Sequence, residues 1–222
     1  MPTLHALVKT GLIRPNLRIA AIELNAWALQ MQQKNPEFSY FAVGGLGAAL
    51  CGQRRVTRDI DLRLSHLGKT EKLSMRNQPD WDIWSNPKTP NKIKAIIRID
   101  EDPDRVKVDA VLVQPTDLAI YRKHNLINTI DGISVANPAL LAITKLETLA
   151  VRGNTVKLPN DYLDLIWCLE ELKEQGLEIP EEALEAGFPA GWEKMYARLG
   201  KAVEPAQVDI LMNLLLELGI KP

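Results

Sequence analysis

FAVGGLGAALCGQRRVTRDIDLRL, residues 41–64, is the stretch on which the reading of the chain turns. A short apolar run leads to Gly44 and Gly45, which read as a turn. Residues 46–50 are small and apolar and suit a short helix closed near Gly52. A basic connection with Gln53, Arg54, Arg55 and Arg58 then enters a second strand, residues 59–64. Side chains alternate along a strand, so Ile60, Leu62 and Leu64 face one way while Asp59, Asp61 and Arg63 face the other. The carboxylates of Asp59 and Asp61 therefore share one face, about 7 Å apart. Two such groups repel unless a cation sits between them. Carboxylate oxygens favour a hard divalent ion such as magnesium. The double glycine upstream leaves room for a phosphate chain.

Working outward, the next informative stretch is RVKVDAVLV, residues 105–113. It reads as a strand with Val106, Val108, Ala110 and Leu112 on one face and Lys107, Asp109 and Val111 on the other. Residues 92–99 form a preceding strand, and residues 100–104, with Pro103, make the turn between them. Strands joined so closely are antiparallel neighbours. An ionised aspartate in an apolar strand needs a partner. A metal site shared with Asp59 and Asp61 would supply one.

Composition bounds the rest. The chain has 222 residues, 46% apolar and 25% charged, with net charge −1. These are the proportions of a globular protein of one domain or two small ones. No basic excess marks a large non-specific nucleic-acid surface. No apolar run reaches membrane-spanning length, and the start, MPTLHALVKTGLIRP, does not read as a signal peptide. Cys51 and Cys168 lack CxxC spacing and read as reduced, buried thiols of a cytoplasmic protein. His5, His66 and His124 are scattered, which argues against a histidine zinc site. Gly45-Leu46-Gly47 is half of a dinucleotide-binding GxGxxG, but Leu50 stands at the third position and no ribose-binding acid follows. Gly68-Lys69-Thr70 matches GK[ST], but Arg63 stands where GxxxxGK[ST] needs its first glycine, which excludes a P-loop.

Elsewhere, residues 15–34 read as a helix opened by Pro15, with Leu17, Ala20, Ala21, Leu24, Ala28 and Met31 at helical spacing. Residues 70–77 suit another helix, and Trp81, Ile83 and Trp84 a short strand. Asp131-Gly132 between apolar runs signals a hairpin. Asn137-Pro138 opens a helix running to about Arg152, where Gly153-Asn154 ends it. Asn160 or Asp161 starts the next, through about Gln175. Apolar runs within residues 210–218 and breaks at Pro180, Pro189 and Pro205 indicate a small helical bundle. The expected architecture is α+β. A mixed or antiparallel sheet flanked by helices occupies residues 1–136, and a C-terminal helical domain residues 137–222.

Gly44-Gly45, then Asp59-Ile60-Asp61, then Asp109 on a later strand resembles the DNA polymerase β-like nucleotidyltransferase superfamily. The match to "GG…A…G…R.T.DIDL" runs through Gly44, Gly45, Ala49, Gly52, Arg55, Thr57, Asp59, Ile60, Asp61 and Leu62. It looks most like the minimal, AbiEii-like type. Lys145, Arg152, Asp161, Asp164 and Leu165 resemble a later part of that pattern, with Asn160 where a lysine is expected. The resemblance covers residues 38–172 in outline and implies transfer of a nucleoside monophosphate from an NTP to an acceptor hydroxyl. Asp59, Asp61 and Asp109 would be the catalytic acids and the ligands of two magnesium ions about 3.5–4 Å apart. Gly44 and Gly45 would admit the triphosphate, and Arg55, Arg58 and Lys145 would neutralise it. The acceptor would be a protein, a tRNA or a small molecule, with a cognate regulatory protein as a further partner. The alternative is a catalytically inactive relative that binds nucleotide or protein. On residue type alone, Lys145 and Arg152 are also ordinary ion-pair residues, and Asp161 and Asp164 ordinary helix-start and packing features.

Overall fold

The computed structural model describes residues 1–99, 105–152, 155–201 and 203–221. The turn expected at residues 100–104 and the helix stop at Gly153-Asn154 lie outside the described residues. The chain divides into two compact units, residues 1–118 with 127–136, and residues 119–126 with 137–222.

The first unit is a sheet with helices. Among the described residues its strands are β1 (Tyr40–Val43), β2 (Asp59–Leu64), β3 (Trp81–Ser85), β4 (Lys92–Ile97), β5 (Val106–Leu112), β6 (Ile127–Ile130) and β7 (Ile133–Ala136). They form one mixed sheet of order β3-β4-β5-β2-β1-β7-β6. β2 and β5 run parallel, as do β1 and β7, and the other neighbours are antiparallel. The helices are α1 (Leu4–Lys9), α2 (Pro15–Lys34), α3 (Gly44–Cys51) and α4 (Lys69–Arg76), followed by α5 (Pro115–Lys123), which the unit boundary divides.

The bounds of α2 and β2 coincide with the periodicities that announce them. Every residue of the expected apolar stripe of α2 is buried, and Trp27 joins it. Its ring meets Phe38 edge-on at 5.5 Å and Trp81 at 5.9 Å, while its Nε1 donates to Ser74 Oγ of α4 at 3.2 Å. α2 packs against β2 and β5, whose inward faces carry Ile60, Leu62, Leu64, Val106, Val108 and Ala110, all buried. Each of these valine, leucine and isoleucine side chains contributes about 1.5–3 kcal/mol by leaving water, and Ala110 less. The β6–β7 turn places Asp131 and Gly132 at φ 52° and 79°, the left-handed pair a two-residue hairpin demands.

Two expectations change. Gly44 and Gly45 do not form a separate turn: they are the first residues of α3, which follows β1 directly. The helices α1 and α5 are short and lie where no periodic pattern stands out.

The second unit is helical: the end of α5, then α6 (Pro138–Val151), α7 (Leu158–Gln175), α8 (Glu181–Gly187), α9 (Trp192–Leu199) and α10 (Pro205–Glu217). Asn137 caps α6 by accepting from Leu140 N at 3.0 Å. α7 begins at Leu158, earlier than Asn160, because Pro159 is tolerated in a first helical turn and a 3₁₀ turn, Thr155–Lys157, leads into it. Leu141, Ile143, Leu146, Leu165, Leu169, Met195, Leu211 and Leu215 fill the core. Cys51 and Cys168 are buried free thiols. Among the described residues no helix is long and apolar enough to cross a membrane.

Candidate active site

The register of β2 decides the geometry of the acidic residues. Its parallel partner β5 places Asp61 beside Asp109 and Asp59 beside Lys107. Laterally paired residues project to the same side of a sheet. Asp59, Asp61 and Asp109 therefore lie on one face, opposite the α2 core, and all three are half-buried.

The start of α3 is built around Asp61. Val43, the N-cap residue, pairs with Asp61 across the antiparallel β1–β2 ladder. Gly44 has φ +59°, and a Cβ there would stand 2.0 Å from Asp61 Oδ2 and 2.8 Å from its Cγ. Any side chain at 44 would be strained in the backbone and would displace the carboxylate. The Asp61 carboxylate thus rests against the opening of α3, where amide N–H groups and the helix dipole favour negative charge.

Gly45 is required for a different reason. A Cβ at 45 would fall 2.3 Å from Thr57 Oγ1 and 2.8 Å from Thr57 Cβ. Thr57 is buried, its N donates to Leu12 O at 3.1 Å, and its hydroxyl donates to Asp59 O at 3.3 Å. This residue, to which the sequence reading assigns no role, clamps the connection against α3 immediately before the acidic strand. At the other end of that connection, Gly52 (φ +115°) closes α3 in the left-handed conformation. Arg54 and Arg55, between these anchors, and Arg58, just after Thr57, are exposed.

Lys94 is a second residue outside the sequence expectations. β4 pairs it with Asp109, and its Nζ lies 3.8 Å from Asp109 Oδ1, the two side chains being 76% and 46% exposed. A pair so open to water is worth about 1 kcal/mol or less. Strict alternation alone makes such a lysine look like a solvated strand residue; only the register gives it a partner.

The donor set suits a hard cation, being three carboxylates on one face of adjacent strands. Among the described residues no group of three or more His, Cys, Asp or Glu side chains is gathered closely enough to hold a metal ion.

Lys145 belongs to the second unit and is engaged there. Its Nζ donates to Asp161 Oδ1 at 2.9 Å and to Asp164 Oδ2 at 2.6 Å, and all three residues are buried. Burial pulls its pKa down, but the carboxylates of Asp164 and Asp161 outweigh that and hold it above the usual lysine value. Arg152 Nε lies 2.9 Å from Asp161 Oδ2 as a charge contact, since that oxygen accepts no hydrogen bond. A phosphate ligand needs an ammonium free to turn toward it, and this one is held from two sides.

No family model matches the chain, and no curated protein matches it. Among solved structures the chain is similar to an antigenic nucleotidyltransferase-like protein from Paracoccidioides brasiliensis, at 16% identity over 91% of this chain and 95% of that one, with a TM-score of 0.49. It is also similar to JHP933 from Helicobacter pylori, at 16% identity over 90% and 88%, TM-score 0.47. A third is a CCA-adding enzyme in complex with ATP, at 11% identity over 95% of this chain and 53% of that one, TM-score 0.43.

Proposed function

We propose that the chain is a nucleotidyltransferase that moves a nucleoside monophosphate from an NTP to an acceptor hydroxyl. The observation that carries this reading is the alignment of Asp61 with Asp109 across β2 and β5, beside a Gly44 whose missing side chain leaves room for the Asp61 carboxylate. Three acids on one face of adjacent strands repel one another, which is consistent with a function that uses them.

Asp59, Asp61 and Asp109 would hold two magnesium ions. When bound, these would supply neutralisation of the triphosphate and activation of the attacking oxygen. The remaining roles belong to the chain. The backbone at Gly44 and Gly45 offers the N–H groups of a helix start to phosphate oxygens. Arg55 and Arg58, on the exposed connection, add positive charge beside it. Asp109, half-exposed, would also help to accept the proton of the acceptor hydroxyl. Lys145 is assigned to its buried cluster in place of phosphate binding. The resemblance to AbiEii-like proteins extends the reading to a toxin-like role in the cytoplasm, restrained by a cognate regulatory protein.

A second reading, a catalytically silent relative that binds nucleotide or a protein, is favoured by Lys94, which already offers Asp109 a positive charge. Incubation with α-labelled NTPs, magnesium and cell extract separates the two. Label should pass to an acceptor with wild type and not with Asp61→Asn. Nucleotide binding without transfer, unchanged by Asp61→Asn, supports the silent relative.

A further inference from the structure

The long helix α2 is apolar on two opposite sides. Its inner stripe, from Leu17 to Met31, is buried and packs against the sheet. The other side carries Ile19, Ile22, Ala26 and Leu29, and the three larger side chains are 39%, 45% and 49% exposed. Ala26 is exposed between them, and Gln30 and Gln33 are exposed at the end of the row. The four apolar residues follow one another at intervals of three, four and three, the spacing that keeps a seam facing a second helix. At 3.6 residues per turn this seam lies about opposite the inner stripe. A helix that is apolar all round belongs in an interior, so the outer side of α2 calls for a cover.

The charges beside the seam say what covers it. Arg18 borders it on one side and Glu23 on the other, both half-buried and five residues apart. In two parallel helices in register, rim residues so spaced meet across the seam, so Arg18 of each copy faces Glu23 of the other. Glu23 also has a contact within its own chain, and a carboxylate accepts from several donors. The rim is therefore complementary to itself. An antiparallel pair that layers Ile19 on Leu29 would instead bring the two Glu23 side chains together. A membrane surface would call for a rim rich in lysine and arginine, whereas this one holds a single cation, a single anion and glutamines. A partner protein of one charge sign would leave either Arg18 or Glu23 opposed.

We propose that the outer side of α2 is a self-association surface. Two copies of the chain pair through it in parallel, with Ile19, Ile22, Ala26 and Leu29 each against its own counterpart and Arg18 bridged to Glu23 of the second copy. The small Ala26 lets the two backbones approach near the middle of the seam. The inner side already holds α2 in place, so pairing costs no ordering of the helix. From Ile19 to Leu29 the seam runs about 15 Å at 1.5 Å per residue, a short contact that makes a reversible dimer. Asp59, Asp61 and Asp109 lie on the sheet face away from α2, so pairing covers the side that does not carry them. The association is independent of the proposed transfer activity.

Sedimentation velocity of the full chain across the micromolar range tests the seam. Wild type should pass from monomer to dimer as concentration rises. Ile22→Lys should weaken dimerisation roughly a hundredfold, because each copy loses a buried apolar side chain, with the far-ultraviolet circular dichroism unchanged. Arg18→Glu should weaken it about tenfold, and combining Arg18→Glu with Glu23→Arg should restore it. Under mild oxidation Ala26→Cys should cross-link to its counterpart, since parallel register brings the two positions together, while Cys51 and Cys168 are buried. A chain that stays monomeric up to the millimolar range overturns the inference. So does a dimer that Ile22→Lys leaves unchanged, or a charge reversal that the double variant fails to rescue. A dimer in which Ala26→Cys does not cross-link overturns the parallel pairing.

Discussion

The chain holds two groups of acidic residues, and they are built in opposite ways. In the second unit, Asp161 and Asp164 are 4% and 2% exposed, and Lys145 and Arg152 bring as many positive charges as there are carboxylates. In the first unit, Asp59, Asp61 and Asp109 are half-buried on an open sheet face, and the cation beside Asp109 is a lysine 3.8 Å away and largely in water. The first arrangement is closed and internally neutral, as a structural cluster must be. The second leaves oxygen donors accessible, as a ligand site must. Residue type alone does not separate them: both groups carry two aspartates at short spacing with basic residues near in sequence. Burial does.

This contrast breaks most sharply under substitution. Asp61→Asn should lower transfer activity at least a thousandfold, because metal-assisted charge stabilisation is worth several kcal/mol, while leaving the melting temperature nearly unchanged. Lys145→Met should do the reverse. It leaves two buried carboxylates short of a partner and should cost about 3–5 kcal/mol in chemical denaturation. An Asp61→Asn variant that unfolds easily, or a Lys145→Met variant with native stability, would reverse the assignment of the two groups.

Gly44→Ala sits between these extremes. The left-handed φ costs about 1–2 kcal/mol, and the new Cβ must push the Asp61 carboxylate aside. Activity should fall far more than stability, as measured by transfer rate against the denaturation midpoint. Alkaline pH sharpens the comparison from the second unit. Lys145 is held above its usual pKa by Asp164 and Asp161 against the opposing effect of burial, and burial pushes Tyr196 up to about 12. Groups raised on folding stabilise fully below their unfolded values, near 10, and lose that contribution as pH rises through the folded values. Stability should therefore hold to about pH 10 and fall above it. A midpoint that declines between pH 8 and 9 would contradict this. The smallest effect is expected of Lys94→Gln, about 1 kcal/mol or less in stability.

Much of the first unit was legible because its signals are local. The strict alternation of DIDLRL sets β2 to the residue, the apolar stripe after Pro15 sets α2, and Asp131-Gly132 sets the β6–β7 turn. What escaped depends on distant chain. Strand β2 meets β5 after an intervening helix and two strands, and nothing in either segment states that Asp61 falls beside Asp109 in place of a neighbour one residue along. The same applies to Lys94, whose partner only the β4–β5 register supplies. Gly44 and Gly45 read as a turn because glycine tolerates many conformations. Their places at the head of α3 follow from Asp61 and Thr57, each contributed by a later segment. Lys145 reads on residue type as an ion-pair residue, as it is, but helical spacing on α6 does not show that its partners are two aspartates of α7 that bury it.

Manganese binding, followed by electron paramagnetic resonance in the presence of a non-hydrolysable NTP, tests the shared acidic face most directly. Wild type should take up the ion, and Asp61→Asn and Asp109→Asn, on different strands, should each weaken uptake at least tenfold while remaining folded. Equal manganese affinity in wild type and both variants would contradict the account.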